Sequence, residues 1–331
     1  MLDHLPLRVL DLDALDIDWY DERAVAQLAA ELGERRRVDP SEPALVGVAA
    51  RRLTNAAGPV LEQLALTLAD GPAPWCAGSP TDLPRVLASA EHAPGATRVL
   101  LELLEVSPRR DVVDGLLLES LAYSMLLAGP EFRRWRSATP ASEPAAVADP
   151  VLLARDGGRL SVTINRPERH NAWGRQVRDG FLDALELAEL DDGIVEVVVR
   201  GAGPSYCSGG DLDEFGTAAD VVSAHQVRMA RSGALAVTRL RERLGDALRF
   251  ELHGLCIGAG IEVPAAAGRV VADPTTRFRL PELGLGLVPG AGGTVTLPRR
   301  IGRWRTAWMA LTDAYVDAAT ALEWGLVDEV R

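Results

Sequence analysis

The stretch His253-Gly-Leu-Cys-Ile-Gly-Ala-Gly-Ile-Glu262-Val-Pro constrains this chain more than any other. Gly258 and Gly260 permit a tight backbone turn, and the residues that follow open a helix. The first N–H groups of such a helix have no intrahelical acceptor. They point outward, where the helix dipole favours a developing negative charge. Glu262 sits just inside that helix. A second stretch, Leu280-Pro-Glu282-Leu-Gly-Leu-Gly-Leu-Val-Pro-Gly-Ala-Gly-Gly-Thr294, supplies another carboxylate in an apolar, glycine-rich setting. Desolvation there raises a carboxyl pKa toward a useful acid/base range. Outward N–H donors beside two carboxylates suit proton transfer next to an oxyanion.

Composition narrows the partners. With 331 residues, 47% of them hydrophobic and 25% charged, the chain has enough apolar content for a sizeable core and length for about two domains. The net charge of −12 lacks the basic footprint of a nucleic-acid binder. All 35 basic residues are Arg, which excludes lysine Schiff-base chemistry and a P-loop lysine. Cys76, Cys207 and Cys256 form neither a CxxC nor a zinc pattern, and the five histidines form no metal-binding motif. Three cysteines and no signal peptide suggest a reducing cytoplasm. The most apolar segment, residues 115–128, is too short to cross a bilayer and carries Glu119.

The chain divides in two. Residues 1–136 read as an all-helical N-terminal domain, with helices expected over 21–34, 54–68, 82–90, 97–105 and 111–128. Gly129-Pro130 ends the last of these, and 132–136 make a short amphipathic tail. Residues 137–150, rich in Ala, Pro and Ser, read as a linker. Residues 151–331 then alternate strands and helices. Strands are expected at 151–154, 159–165, 194–200, 247–252, 268–273 and 277–280, a helix at 176–189, and a polar, partly helical insertion at 213–247. That alternation predicts an α/β core of repeated β-β-α units.

Four segments appear in a fixed order: Ile164-Asn-Arg-Pro-Glu-Arg-His-Asn-Ala172, Cys207-Ser-Gly-Gly-Asp-Leu212, the Glu262 helix, and Pro281-Glu282 through Gly293-Thr294. In these the chain resembles the crotonase superfamily of enoyl-CoA hydratases and isomerases. The resemblance covers about residues 151–331. It implies a spiral of β-β-α turns, assembled as a homotrimer or a pair of trimers, with an acyl-CoA thioester as substrate and no cofactor or metal beyond it. Carried over by residue, the oxyanion hole is the N–H of Gly210 and of Ala259, and the catalytic acids are Glu262 and Glu282. Glu282 exchanges a proton with substrate carbon, and both acids position the added water. Arg169, Ala172, Ser208, Asp211 and Leu212 fall on the substrate path, with Arg169 suited to phosphate and Asp211 to bracing the oxyanion loop.

The implied reaction is hydration of a 2-enoyl-CoA thioester, or the reverse dehydration. Double-bond isomerisation is the alternative, and a non-catalytic oligomerisation module ranks lower. A helical extension ahead of the core also resembles the dioxygenase-type members that act on dihydroxyphenylacetyl-CoA. Those members have lost the glutamate that this chain keeps as Glu262, so an oxygenase ranks low too. Family members usually continue past the point matching Arg331 with helices that cover the site. The N-terminal helices are the expected substitute.

Overall fold

The computed structural model describes residues 5–39, 41–142 and 147–331. Its N-terminal region runs β1 (Leu7–Asp11), α1 (Glu22–Val38), β2 (Ala44–Val48), α2 (Gly58–Leu61), β3 (Leu66–Leu68), α3 (Leu83–His92), α4 (Pro94–Val106), α5 (Val112–Leu127) and α6 (Pro130–Ala138). Helices dominate it as expected. Asp21 caps α1 by accepting from the N–H groups of Arg23 and Ala24, and Asp111 caps α5 through Asp114 N–H. The region is nonetheless not helical throughout, because β1, β2 and β3 form a parallel sheet in that order.

The helix expected over 54–68 is therefore corrected. A 3-10 turn over Asn55–Ala57 and the short α2 form there, and the chain then extends into β3 beside β2. Val60, Leu61, Leu64, Leu66 and Leu68 are all fully buried. A strand buried on both faces shows no alternation, so apolar spacing cannot separate it from a buried helix.

Of the linker expected over 137–150, residues 143–146 lie outside the described residues. The core follows as β4 (Val151–Asp156), β5 (Arg159–Ile164), α7 (Arg175–Leu190), β6 (Glu196–Gly201), α8 (Val221–Ala230), α9 (Gly233–Leu244), β7 (Leu248–Leu252), β8 (Leu255–Ile257), α10 (Ala259–Glu262), β9 (Arg269–Ala272), β10 (Arg277–Arg279), α11 (Gly293–Thr312), β11 (Val316–Asp317), α12 (Ala318–Trp324) and β12 (Glu329–Val330). A six-stranded sheet has the order β12-β9-β7-β6-β5-β4, parallel except for the β4–β5 hairpin. A smaller sheet has the order β11-β10-β8.

The reason for this layering is visible in α7. Val177, Phe181, Ala184, Leu185 and Ala188 recur at helical spacing and are buried. Phe181 meets Phe250 of β7 with ring centroids 6.3 Å apart, and Phe250 meets Tyr206 at 6.4 Å. Among the described residues no single helix is long and apolar enough to cross a membrane.

The N-terminal region and the core share one apolar interior. Leu100 of α4, Leu126 of α5 and Phe132 of α6 belong to the same buried cluster as Phe250, Leu297 and Met309. Helix α11 packs against α3, α4 and α5. Trp304 on α11 donates to Leu64 O at 3.0 Å, and Trp308 donates to Asp82 at 3.1 Å. Gly115 lets α5 approach α11 closely, since a methyl there would stand 3.1 Å from Val295.

This shared interior makes a prediction. Leu100→Ala should destabilise the protein by roughly 2–5 kcal/mol, the usual loss for a fully buried leucine. Denaturant unfolding followed by tryptophan fluorescence and by circular dichroism should shift as one coincident transition. Two separated transitions, with only one of them moved, would show that the two regions fold independently.

Candidate active site

Strand pairing assembles the site. Strand β8 pairs in parallel with β10, and Cys207 bridges to Cys256 on its other side. Cys207 N–H donates to Leu255 O at 3.2 Å, and Ile257 N–H donates to Cys207 O at 3.0 Å. The segments around 207–210 and 257–260 thus run side by side. Only glycine fits where they touch: a Cβ on Gly260 would lie 2.3 Å from Cys207 O. Gly258, at φ +50°, turns the chain into α10. Among the described residues, the N–H groups of Gly210 and Ala259 find no hydrogen-bond acceptor. Both residues line a cavity of about 240 Å³, together with Glu262, Glu282 and Asp211.

The loop carrying Gly210 is braced from behind. Trp173 N–H donates to Gly209 O at 2.7 Å, and Asp211 N–H donates to Trp173 O at 3.2 Å. Asp211 is buried, and its carboxylate accepts from Arg166 at 2.5 Å and from Arg169 at 3.2 Å. Arg169 also pairs with Asp213 at 2.5 Å. Asn171, at φ +57°, accepts from Arg166 N–H and donates to Ala202 O and Ser205 O, which uses both ends of its amide. Of the residues expected on the substrate path, Asp211 lies on the cavity wall, whereas Arg169, Ala172, Ser208 and Leu212 stand outside that lining. Ser208 N–H donates to His170 O, Ala172 N–H donates to Arg169 O, and Leu212 O accepts from Arg136. Arg169 is held by two carboxylates as the chain stands.

Glu119 joins Glu262 and Glu282 as a third buried glutamate on the cavity wall, which Asp211 and Glu214 also line. Glu262 Oε2 accepts from Ala291 N–H at 2.8 Å and from Gly293 N–H at 2.9 Å. Glu119, from α5, accepts from Gly292 N–H at 2.8 Å and from Thr294 N–H and Oγ1 at 2.9 and 2.7 Å. Four successive amides at the start of α11 therefore alternate between two acids. Gly293 allows this, because a Cβ there would stand 2.7 Å from Glu262 Oε2. Glu282 is less well served, as its Oε2 is buried without a partner. A Cβ on Gly258 would lie 2.4 Å from Glu282 Oε1 and 3.5 Å from Glu262 Oε1, so both oxygens flank one spot.

Burial sets the proton affinities. It pushes Glu282 up to about 8 and Glu119 up to about 7. Glu262 is driven well above the ordinary range by burial first, then by the charges of Glu282 and Glu119, while its two backbone donors pull it back. The pocket thus holds carboxylic acids able to give or take a proton near neutrality. Among the described residues, no group of three or more His, Cys, Asp or Glu side chains is arranged to hold a metal ion.

Glu119, Tyr123, Trp173 and Arg228 also line the cavity, and sequence reasoning missed them as site residues. One signal for Glu119 was present. It is the only charged residue in the 115–128 stretch, and a buried acid must find donors.

Comparison with known proteins agrees with this geometry. Residues 155–331 match the family model described as enoyl-CoA hydratase/isomerase. The chain belongs to the enoyl-CoA hydratase/isomerase family. As a crotonase-type enzyme it is 32% identical over 185 residues to 1,2-epoxyphenylacetyl-CoA isomerase of Escherichia coli, covering 54% of this chain and 69% of that one. It is 30% identical over 180 residues to 2,3-dehydroadipyl-CoA hydratase of the same organism, covering 54% and 68%. It is 29% identical over 180 residues to trans-2-decenoyl-[acyl-carrier-protein] isomerase of Streptococcus mutans, covering 54% and 68%. The family match leaves out α5, so Glu119 is an addition of this chain's N-terminal region to the crotonase core.

The raised carboxyl groups give a pH prediction. A group whose pKa rises on folding, as Glu282 does from 4.5 to about 8, stabilises the fold fully below 4.5. That contribution is lost as pH climbs toward about 8, because the unfolded chain then releases a proton that the folded chain retains. Glu282→Gln removes it. Chemical denaturation across this range should show a smaller loss of stability in the variant than in the wild type. Equal slopes would mean that Glu282 is not raised.

Proposed function

We propose that the chain hydrates a 2-enoyl-CoA thioester, or dehydrates the corresponding 3-hydroxyacyl thioester. The observation that carries this reading is the convergence on one cavity of two amides without acceptors, Gly210 and Ala259, with two buried acids, Glu262 and Glu282. Adding water across C2–C3 builds negative charge on the thioester oxygen. The Gly210 and Ala259 N–H groups would donate to that oxygen, each worth roughly 3–4 kcal/mol when removed singly.

The proton balance follows from the acids. Glu282, pushed up to about 8, is protonated at neutral pH and would deliver its proton to C2. Glu262 would be the carboxylate of the pair: the Ala291 and Gly293 N–H groups favour its ionised form, a protonated Glu282 no longer opposes it, and it would take the proton that water loses as its oxygen bonds to C3. Oε1 of each acid lies beside Gly258, which supports the two acting on one water. The proton then returns from Glu262 to Glu282 through solvent. The reaction needs no cofactor beyond the coenzyme A carried by the substrate. The three cysteines are free, which supports a reducing cytoplasm as its setting. We place the working form as a homotrimer or pair of trimers on the family resemblance.

Isomerisation is the second reading. The same acids would move one proton between carbons without adding water, and two of the relatives above are isomerases by name. Turnover of crotonyl-CoA and longer 2-enoyl-CoA thioesters separates the two. Hydration removes the enone absorbance with uptake of water, whereas isomerisation shifts the double bond without it. Glu282→Gln should lower kcat/KM by about 10²–10⁴-fold, the usual worth of a general acid. A loss below about tenfold would argue strongly against its role in proton transfer.

A further inference from the structure

We propose that the cavity selects acyl thioesters whose far end carries a carboxylate, and that Arg228 is the residue that reads it. This rests on the reading of the cavity as an acyl-CoA site. Arg228 lies on α8, inside the polar insertion, and lines the same cavity as Glu262 and Glu282. Its Nη1 is fully used on α5: it donates to Ser120 O at 3.2 Å, Ser120 Oγ at 3.1 Å and Ser124 Oγ at 3.0 Å. The guanidinium carbon sits 4.3 Å from the centre of the Tyr123 ring, so an aromatic face holds the plane in place.

What remains is the other edge. Nε and Nη2 have no acceptor among the described residues. They are not sealed either, unlike the buried Nε of Arg166, Arg136 and Arg305. Nε–H and Nη2–H form the parallel pair of donors that matches a carboxylate with two hydrogen bonds. Arg228 also makes no ion pair among the described residues, whereas Arg178 and Arg231, on the same cavity wall, share Asp179.

A cation drawn out of water without a counter-ion costs free energy, and burial accordingly lowers the pKa of Arg228. The charge of Glu119 offsets only part of that cost. Its two oxygens are taken by Gly292 and Thr294, and burial favours its neutral form. The compensating charge is therefore assigned to the ligand. The cavity wall also carries Leu116, Leu127, Trp173, Phe215 and Val263, beside the charged Arg175, Arg178, Arg231, Asp211 and Glu214. Its apolar side chains suit a methylene chain that reaches the guanidinium at its end.

Calorimetric titration of the full chain with two saturated thioesters of equal length, hexanoyl-CoA and adipoyl-CoA, tests this without requiring turnover. The wild type should bind adipoyl-CoA about ten- to a hundredfold more tightly, the worth of a charge-assisted pair. Arg228→Gln should weaken adipoyl-CoA binding about ten- to a hundredfold more than hexanoyl-CoA binding, so that the preference is lost, and Arg228→Lys should restore part of it. Equal binding of both thioesters by the wild type overturns the proposal whether or not any variant folds. Equal weakening of both by Arg228→Gln overturns it too, because Arg228 then only ties α8 to α5. If neither thioester binds the wild type, the acyl-CoA reading of the cavity fails as well.

Discussion

The start of α11 is the interaction on which the rest depends. Ala291, Gly292, Gly293 and Thr294 offer four consecutive N–H groups that a helix cannot satisfy internally, and two carboxylates divide them in strict alternation. A helix end of this kind favours negative charge by up to about 2 kcal/mol in partly buried geometry. Burying a carboxylate costs several kcal/mol, so the dipole and the hydrogen bonds offset only part of the penalty. The remainder appears as proton affinity: Glu119 settles near 7 and Glu262 well above the ordinary range. The glycines are what make the arrangement possible. Gly292 adopts φ +110°, and a side chain on Gly293 would occupy the place of the Glu262 carboxylate.

That shared helix end joins the two halves of the molecule. Glu262 belongs to the crotonase core and Glu119 to the N-terminal region, yet each satisfies donors that the other leaves free. Removing either would strand two buried amides, and unmade buried hydrogen bonds cost about 1–3 kcal/mol each. The N-terminal helix α5 is therefore part of the cavity wall. Tyr123 makes the same point from the other side, since its ring packs so closely on Gly290 that a Cβ there would fall within 2.2 Å of it. Burial raises the pKa of its hydroxyl, the Arg228 guanidinium pulls it back, and the charges of Glu282, Glu262 and Glu119 add to the rise.

Most of the core was legible in the sequence because its signals are local. The spacing of Val177, Phe181, Leu185 and Ala188 reports one buried face of α7, and the valine run 197–199 reports a buried strand. Gly258 and Gly260 announce a turn that nothing bulkier can make. The N-terminal sheet was not legible, because Leu64, Leu66 and Leu68 are apolar whether the segment is a helix or an internal strand. Glu119 escaped for a different reason. Its function comes from contacts 173 and 175 residues away, and no local pattern encodes them. Arg169 shows the converse: its loop was readable, but its commitment to Asp211 and Asp213 depends on how the loops pack.

The two halves of the proposed chemistry draw on one physical cause. A site dry enough to lift Glu282 to about 8 is also one in which an unpartnered N–H donor gains strength, because low local polarity magnifies every electrostatic term. In water the same amides would be satisfied and the same acids ionised. The buried Arg166–Asp211 pair serves this end by fixing the Gly210 loop beside the cavity that Asp211 lines. It contributes rigidity next to the Gly210 amide. On the proposed chemistry, a Gly210 loop held rigid in this way would let backbone amides rather than side chains meet the developing charge.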